Sequence, residues 1–325
     1  MKNSDLKIDI HLDEADLFEN MKREIRLGLQ STPKSIPPKF FYDKTGSLLF
    51  EQITEQPEYY QTRTERKLLE RIAPEIERKY DFHELLELGS GSSAKTRVLL
   101  DEMSSAGSLE LYLPFDVSRT MIQRTADELI DEYPTMSLHG IIGDFTRHLR
   151  KIPPGQHRLI IFLGGTIGNL DPLAAKGFLS DLASTMSETD RLLLGTDLVK
   201  DISVLEAAYN DKAGITADFN RNVLHVINQQ LDANFNPETF EHVSYFNAEK
   251  SQIEMWLRST ERAEVTVPTI DLEIDIAKGE EIHTEISRKF TRTSAGNLLA
   301  GAGLEMTDWF TDPDSLFGLS MSRAV

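Results

Sequence analysis

The sequence contains no cysteine. That absence excludes disulfides, thiolate nucleophiles, thiolate-held zinc and iron–sulfur clusters together, and makes the cytoplasm the expected compartment. Long apolar runs are missing too. Nothing approaches the roughly 18 residues needed to cross a bilayer, and the opening "MKNSDLKIDIHLDEADLF" lacks the apolar stretch of a signal peptide, so no membrane partner is expected. Basic residues are scarce, with 35 Lys and Arg against 53 Asp and Glu and a net charge of −18. Such a surface neutralises phosphates poorly, and nucleic acid is not expected as a partner. The 8 histidines are never spaced i,i+3 or i,i+4, no H-E-x-x-H occurs, and no G-x-S-x-G elbow appears. Neither a metal nor a serine nucleophile is expected.

What is present is a chain of 325 residues, 40% hydrophobic and 27% charged, the composition of a globular protein with room for one large or two ordinary domains. From residue 82 onward, short apolar runs alternate with helical patterns in the rhythm of βαβ units and a parallel sheet. The predicted strands are "ELLEL" (84–88), "LELYLPFD" (109–116), "MSLHGIIGD" (136–144), "RLIIFL" (158–163) and "RLLLGTD" (191–197), with helical segments such as 119–132 and 173–187 between them. Two more, "LEMTDWFTD" (304–312) and "LFGLSMSRA" (316–324), lie close together like an antiparallel pair. Five parallel strands closed by such a pair form the pattern of an α/β, Rossmann-like, seven-stranded methyltransferase core.

The stretch 201–285 is far too long for a crossover helix, and it holds alternating strands of its own at 252–259, 263–270 and 271–277. The first 60 residues also fall outside the rhythm, and Pro33, Pro37 and Pro38 favour an extended path there. Thr62 and Glu65 have capping-box spacing and predict a helix start. The expected division is a core of 61–200 plus 286–325, and a second, smaller α+β substrate domain of 1–60 plus 201–285. Neither repeats nor low-complexity segments are evident, and the oligomeric state stays open, with a monomer compatible.

The stretch "LLELGSGSSAKT" can be read in three ways. Gly89 through Thr96 approach a phosphate-binding P-loop, but the position that needs glycine before the lysine holds Ala94. Gly89, Gly91 and Ala94 fit the dinucleotide pattern G-x-G-x-x-G/A, with Asp116 at the end of the next strand to accept ribose hydroxyls. A methyl-donor loop has the same needs, so Asp116 does not separate the two. Glu87, two residues before Gly89, is expected to repel a pyrophosphate and to suit a sulfonium and an ammonium. Asp144 and Phe145, after the third strand, can accept an adenine amino proton and cover the ring. Each acid alone is an ordinary strand-end residue. Three after successive strands, at the edge where doubly wound sheets bind ligands, favour the methyl donor.

Over nearly its whole length the chain resembles the histidine Nα-methyltransferases of ergothioneine biosynthesis. The resemblance is carried by "PKSIPPKFFYD", "PEYYQTRTE", "LELGSGSSAKTR", "PFDV", "GDF", "FLGGTIGNL", "LLLGTDLVKD", "AGITADFNRNVL", "IEMWLRS" and "GEEIHTEISRKF". It implies three methyl transfers from S-adenosylmethionine to the α-amino group of L-histidine, giving hercynine. It also implies donor-binding roles for Gly89, Lys95, Asp116, Asp144 and Phe145, and a histidine site at Tyr59, Asn169, Tyr209, Glu285 and Ser287, with Tyr59, Asn169 and Tyr209 nearest the chemistry. Two positions depart from the family pattern, Gly165 where a serine is expected, and Arg288.

The chemistry is compatible with these residues. Strand alternation puts Glu285 and Ser287 on one face, about 7 Å apart, so that a carboxylate and a hydroxyl can bracket the two nitrogens of an imidazole. The same alternation puts His283 and Lys289 on that face, as a merely solvated strand would have. Asn169 can orient an amine without adding charge, although Asn is also common in turns. An α-amino group has a pKa of about 8, so its neutral form needs no dedicated strong base. Tyr59 and Tyr209, with Tyr42 and Phe50 nearby in sequence, can hydrogen-bond the substrate or face a methylated cation, while Phe40, Phe41, Phe50 and Met255 read more simply as core. The alternatives at this point are the same transfer to another small amine, a nicotinamide-linked oxidoreductase, and a silent binding protein.

Overall fold

The computed structural model describes residues 6–12, 14–91, 93 and 95–325; Ala94 lies outside them, as does the start of the N-terminal stretch quoted above. In chain order the strands are β1 (Leu6–Ile10), β2 (Lys34–Ser35), β3 (Glu84–Leu88), β4 (Leu111–Asp116), β5 (Ser137–Ile142), β6 (Arg158–Phe162) and β7 (Arg191–Asp197). They continue with β8 (Phe240–Asn247), β9 (Gln252–Ser259), β10 (Ala263–Val267), β11 (Leu272–Ile276), β12 (Glu281–Arg288), β13 (Leu304–Thr311) and β14 (Phe317–Ala324). The helices are α1 (Glu14–Gln30), α2 (Lys44–Glu55), α3 (Gln61–Lys79), α4 (Arg97–Ala106), α5 (Arg119–Glu132), α6 (Phe145–His148), α7 (Pro172–Ala183), α8 (Ile202–Ala208), α9 (Ile215–Leu231) and α10 (Arg292–Gly301).

Contacts divide the chain into two compact units. One takes the described part of Met1–Asp13 with Gln61–Leu198 and Phe290–Val325, and the other takes Glu14–Tyr60 with Val199–Lys289. Three boundaries differ from the expected 1–60 plus 201–285 against 61–200 plus 286–325, the one after β7 by only two residues. Leu6–Ile10 belongs with the large sheet, because it pairs in parallel with β5, Leu6 opposite Leu138 and Ile10 opposite Ile142. At the last boundary, β12 continues to Arg288 with Ser287 opposite Ile253 and Arg288 opposite Gln252, so a cut at 286 would split a paired strand.

The first unit is an α/β Rossmann-like sheet in the order β1-β5-β4-β3-β6-β7-β14-β13. The seven expected strands are all in it, and β1 adds an eighth at the edge. Charged residues alternate along β1, which suits an edge strand that must not recruit another; Asp9 takes bonds from Lys7 at 2.9 Å and His139 at 2.8 Å. The inner strands are Leu- and Ile-rich because both faces are covered. Leu85, Leu159 and Leu193 pack with Leu68 and Leu69 of α3 and Leu99 of α4, while Leu86, Leu113 and Leu192 pack with Phe178 of α7 and Leu299 of α10. β3 to β7 run parallel, so their loops emerge at one edge. Thr62 caps nothing as expected: α3 already begins at Gln61, and Glu65 is fully buried inside it.

The second unit combines a four-stranded sheet, β2-β12-β9-β8, with the β10-β11 hairpin. One face packs on α9, whose Phe219, Val223 and Ile227 meet Ile253, Met255, Leu257 and Ile282. The proline segment follows an extended path through Pro37 and then turns once at Pro38–Phe41. Asp43 caps α2 by accepting from the Gly46 N–H at 2.7 Å, which draws that first turn against the carbonyl of Phe41. A Cβ on Gly46 would lie 1.7 Å from the Phe41 oxygen. Gly46→Ala is therefore expected to cost about 1–3 kcal/mol and to lower the unfolding temperature by several degrees, as overpacking against backbone does. A melting curve superimposable on the parent's would show that the turn yields freely.

Candidate active site

In the first unit, the chain leaves β3 through Gly89 at φ 71° and Gly91 at φ 49°, conformations that L side chains rarely adopt. The turn is held by its neighbour: the N–H groups of Gly89 and Ser90 donate to the Phe115 carbonyl at 2.8 and 3.3 Å. Asp116 takes the Gly91 N–H on one carboxylate oxygen at 3.0 Å and the Ser118 N–H on the other at 2.9 Å. Burial pushes this carboxyl up, and those backbone donors oppose the shift. A Cβ at Gly89 would sit 3.6 Å from the Phe145 ring, so the loops after β3 and β5 meet there. Phe145 packs on both Phe162 and Phe178, with ring centroids at 5.3 and 5.6 Å, and those two rings lie 5.0 Å apart. Asp144 uses Oδ1 to cap α6 through the Thr146 N–H at 2.9 Å and hydroxyl at 2.6 Å, while Oδ2 has no bond to a described residue.

The loop after β6 is tied to the same edge by Glu65. Its carboxylate accepts the Gly164 N–H at 2.8 and 3.0 Å and pairs with the Lys95 ammonium. Lys95 is thus fixed at the glycine loop by an acid that reads in the sequence as a helix cap. Gly165 takes φ 67°, a conformation in which a serine would be strained, so this departure relaxes the turn. Asn169 ends the single helical turn Thr166–Asn169 and is half-buried.

Glu87 departs from expectation. Its carboxylate does not wait for a cation: it is buried beneath the loop and receives hydrogen bonds from the Thr96 and Tyr112 hydroxyls. Ser93 contacts Tyr112 Oη at 2.7 Å and completes the cluster. Burial pushes Glu87 up to about 7, opposed by those hydroxyls and by the charge of Lys95. The residue pins the loop from below.

The second unit collects Tyr42, Tyr59, Tyr209, Glu285 and Ser287, and a bulge decides how. The register of β12 against β9 shifts between His283 and Glu285. One extra residue, Thr284, reverses the side-chain alternation from that point. His283 consequently pairs with Trp256 on one face, whereas Glu285 and Ser287 pair with Met255 and Ile253 on the face that packs on α9. His283 therefore does not share a face with Glu285 and Ser287, contrary to simple alternation. Lys289 does: it is 3% exposed and donates to Ser287 Oγ at 2.8 Å and to Tyr209 Oη at 3.0 Å.

Tyr209 caps α8 and gives its own hydrogen to Ser287 at 2.7 Å. Its carbonyl is gripped by His242 Nε2 at 2.9 Å and by the Ser244 hydroxyl at 3.2 Å. Burial lowers the His242 pKa, so the neutral ring donates to that carbonyl and accepts from Asn220. The rings of Tyr59, Phe50, Tyr42 and Phe219 form a chain at 6.1, 5.6 and 5.6 Å. Tyr42 is 52% exposed as a residue, and desolvation of its hydroxyl, followed by the Glu285 carboxylate and Tyr209, pushes its pKa up. Met255 and Phe41 are core residues. His242 and Asn220 went unrecognised in the sequence, and Lys289, placed there on the right face, was read as part of a solvated strand although it is buried.

A family model described as histidine-specific, SAM-dependent methyltransferase matches residues 21–324. The histidine N-alpha-methyltransferase of Mycolicibacterium smegmatis is 49% identical over 304 residues, spanning 94% of this chain and 95% of that protein. Its namesake from Mycobacterium tuberculosis is 47% identical over 312 residues, 96% of this chain and 97% of that one. Ergothioneine biosynthesis protein 1 of Neurospora crassa is 29% identical over 89% of this chain, which spans 34% of that larger protein.

Glu87 makes the loop's support sensitive to pH. The folded protein keeps its proton up to about pH 7, whereas an exposed glutamate releases it near 4.5. Its contribution to stability is full below the lower value and is lost as pH rises through the higher one. Glu87→Gln is expected to flatten the fall in unfolding temperature between those limits, and an unchanged slope in the variant would place the titration elsewhere.

Proposed function

The chain belongs to the SAM-dependent, histidine-specific methyltransferases, and from that premise we propose how its residues divide the work of methylating histidine in ergothioneine biosynthesis. The donor falls to the first unit and the acceptor to the second. S-adenosylmethionine supplies a methyl group activated by a positive sulfur. The residues fit it: glycines at positive φ leave room for close approach, the Asp116 carboxylate is aimed by two backbone donors, and Asp144 keeps one oxygen open beside the Phe145 ring. In this reading Asp116 accepts the ribose hydroxyls, Asp144 accepts the adenine amino group, Phe145 covers the ring, and Lys95, steadied by Glu65, holds the donor carboxylate.

The single observation that carries the acceptor assignment is the bulge at Thr284, which turns a carboxylate and a hydroxyl onto a face otherwise made of core residues. Such a pair accepts from one imidazole nitrogen and bonds the other. In the second unit Tyr59 and Tyr209 bind the amino acid's carboxylate and amine; Asn169, at the loop edge of the first unit, is assigned the orientation of the amine for transfer. Alignment and exclusion of water supply the acceleration; the amine itself, with a pKa of about 8, is partly neutral without a strong base. Each transfer breaks a carbon–sulfur bond and forms a carbon–nitrogen bond. Loss of a proton after the first and second restores the lone pair, and the third leaves a quaternary ammonium that has none. The chemistry stops at trimethylation.

Incubation of the protein with L-histidine and S-adenosylmethionine is expected to shift the amino acid by three methyl masses; absence of any methylated histidine would sink the reading. Glu285→Ala is expected to raise KM for histidine about ten- to hundredfold, the effect of unpairing a buried polar contact, with donor affinity nearly unchanged. Equal losses for both substrates would remove Glu285 from the histidine site.

A further inference from the structure

We propose that Lys289 is a positioning residue that sets the hydrogen-bond polarity of the histidine site, so that the ring is accepted with one N–H and one bare nitrogen. The inference rests on the assignment of Glu285 and Ser287 to the imidazole.

A lysine ammonium has three N–H donors and no acceptor. Lys289 points two of them at the hydroxyls of Ser287, at 2.8 Å, and Tyr209, at 3.0 Å, and its ammonium lies 4.6 Å from the centroid of the Tyr209 ring. Tyr209 accepts from Lys289, so its own hydrogen goes to Ser287 at 2.7 Å, the phenol being the more acidic of the two hydroxyls. Ser287 Oγ then accepts twice, and both of its lone pairs are occupied. Its remaining polar capacity is the O–H, which is left as a donor.

A serine hydroxyl ordinarily adapts to donor or acceptor. Here the lysine removes that freedom. Glu285, two residues away on the same face, carries the opposite polarity, because a carboxylate only accepts. One fixed acceptor and one fixed donor match the N–H and the lone pair of a neutral imidazole. They mismatch an imidazolium, which has two N–H groups, and rings whose heteroatoms only accept. The 3% exposure of Lys289 keeps water from relaxing the arrangement.

The test is a mutant cycle on the intact chain, with histidine and S-adenosylmethionine constants measured separately. Ser287→Ala and Lys289→Met are each expected to raise KM for histidine about tenfold, and the double variant by about the same factor, because the lysine acts through the hydroxyl. Donor affinity is expected to stay within about twofold in all three, which also reports that the protein is folded. If Lys289→Met does not fold, Lys289→Gln takes its place. Its carbonyl can accept the Ser287 hydrogen and reverse the polarity, so the same rise in KM is expected. A hundredfold rise in the double variant, or an unchanged KM when only the lysine is replaced, would overturn the inference. Should Ser287→Ala itself leave KM unchanged, the assignment of Ser287 to the imidazole fails first, and the two failures are thereby distinguished.

Discussion

A sheet covered on both faces can present chemistry only at its strand ends, and the first unit is organised by that constraint. Its inner strands spend their side chains on packing, Leu85 and Leu193 to one side and Leu86 and Leu192 to the other. Parallel pairing brings the loops after β3, β4, β5 and β6 to one edge, where Gly89, Asp116, Asp144, Phe145 and Asn169 emerge. Loops are soft, and aligning a donor asks them to be stiff. The protein resolves this with two carboxylates that are spent on the protein itself. Glu65 reaches from α3 to the β6 loop and to Lys95, and Glu87 holds Thr96 and Tyr112 under the glycine turn. Removing a carboxylate from water is costly unless each oxygen finds donors, and both acids find them.

Much of this was legible in the sequence, for a definite reason. Strands buried on both faces read as continuous apolar runs bounded by turn residues, so "ELLEL" and "RLLLGTD" correspond to β3 and β7 over the same residues. β1 escaped because it is short, charged at alternate positions and far from the strand it joins; nothing in "LKIDI" points to β5. β8 escaped for a related reason. "FEHVSYFN" puts His242 and Ser244 on its inner face, where alternation reads as polar, and their inward role appears only when the Tyr209 carbonyl arrives from α8.

Two acids stand where the sequence placed them, and two others serve a purpose it did not show. Asp116 and Asp144 stand at strand ends, where a sheet of this kind exposes its ligand side. Glu87 sits within the strand, and its face was undecidable without knowing which side α4 covers. Glu65 looked like a cap because a three-residue spacing near a helix start has two uses, and only the partners that fold against it, Lys95 and Gly164, select between them.

The bulge in β12 shows where such reading must end. Strict alternation would put Ile282, Thr284 and Ile286 on the core face and leave Glu285 and Ser287 with His283 beside Trp256. One inserted residue exchanges the two sets, and a carboxylate, a hydroxyl and a lysine enter a face lined by Ile253, Met255 and Leu257. No stability argument favours that exchange, since each buried polar group must be matched by partners merely to break even. Lys289, Tyr209 and Ser287 match one another, and His242 and Ser244 hold Tyr209 in place to do so. Where local pattern and observed structure disagree and the disagreement is stabilised by several independent contacts, the natural inference is a site shaped by its ligand. The disagreement at Thr284 is of that kind, and it marks the second unit's cluster of Tyr209, Ser287 and Lys289 more sharply than any motif in the sequence does.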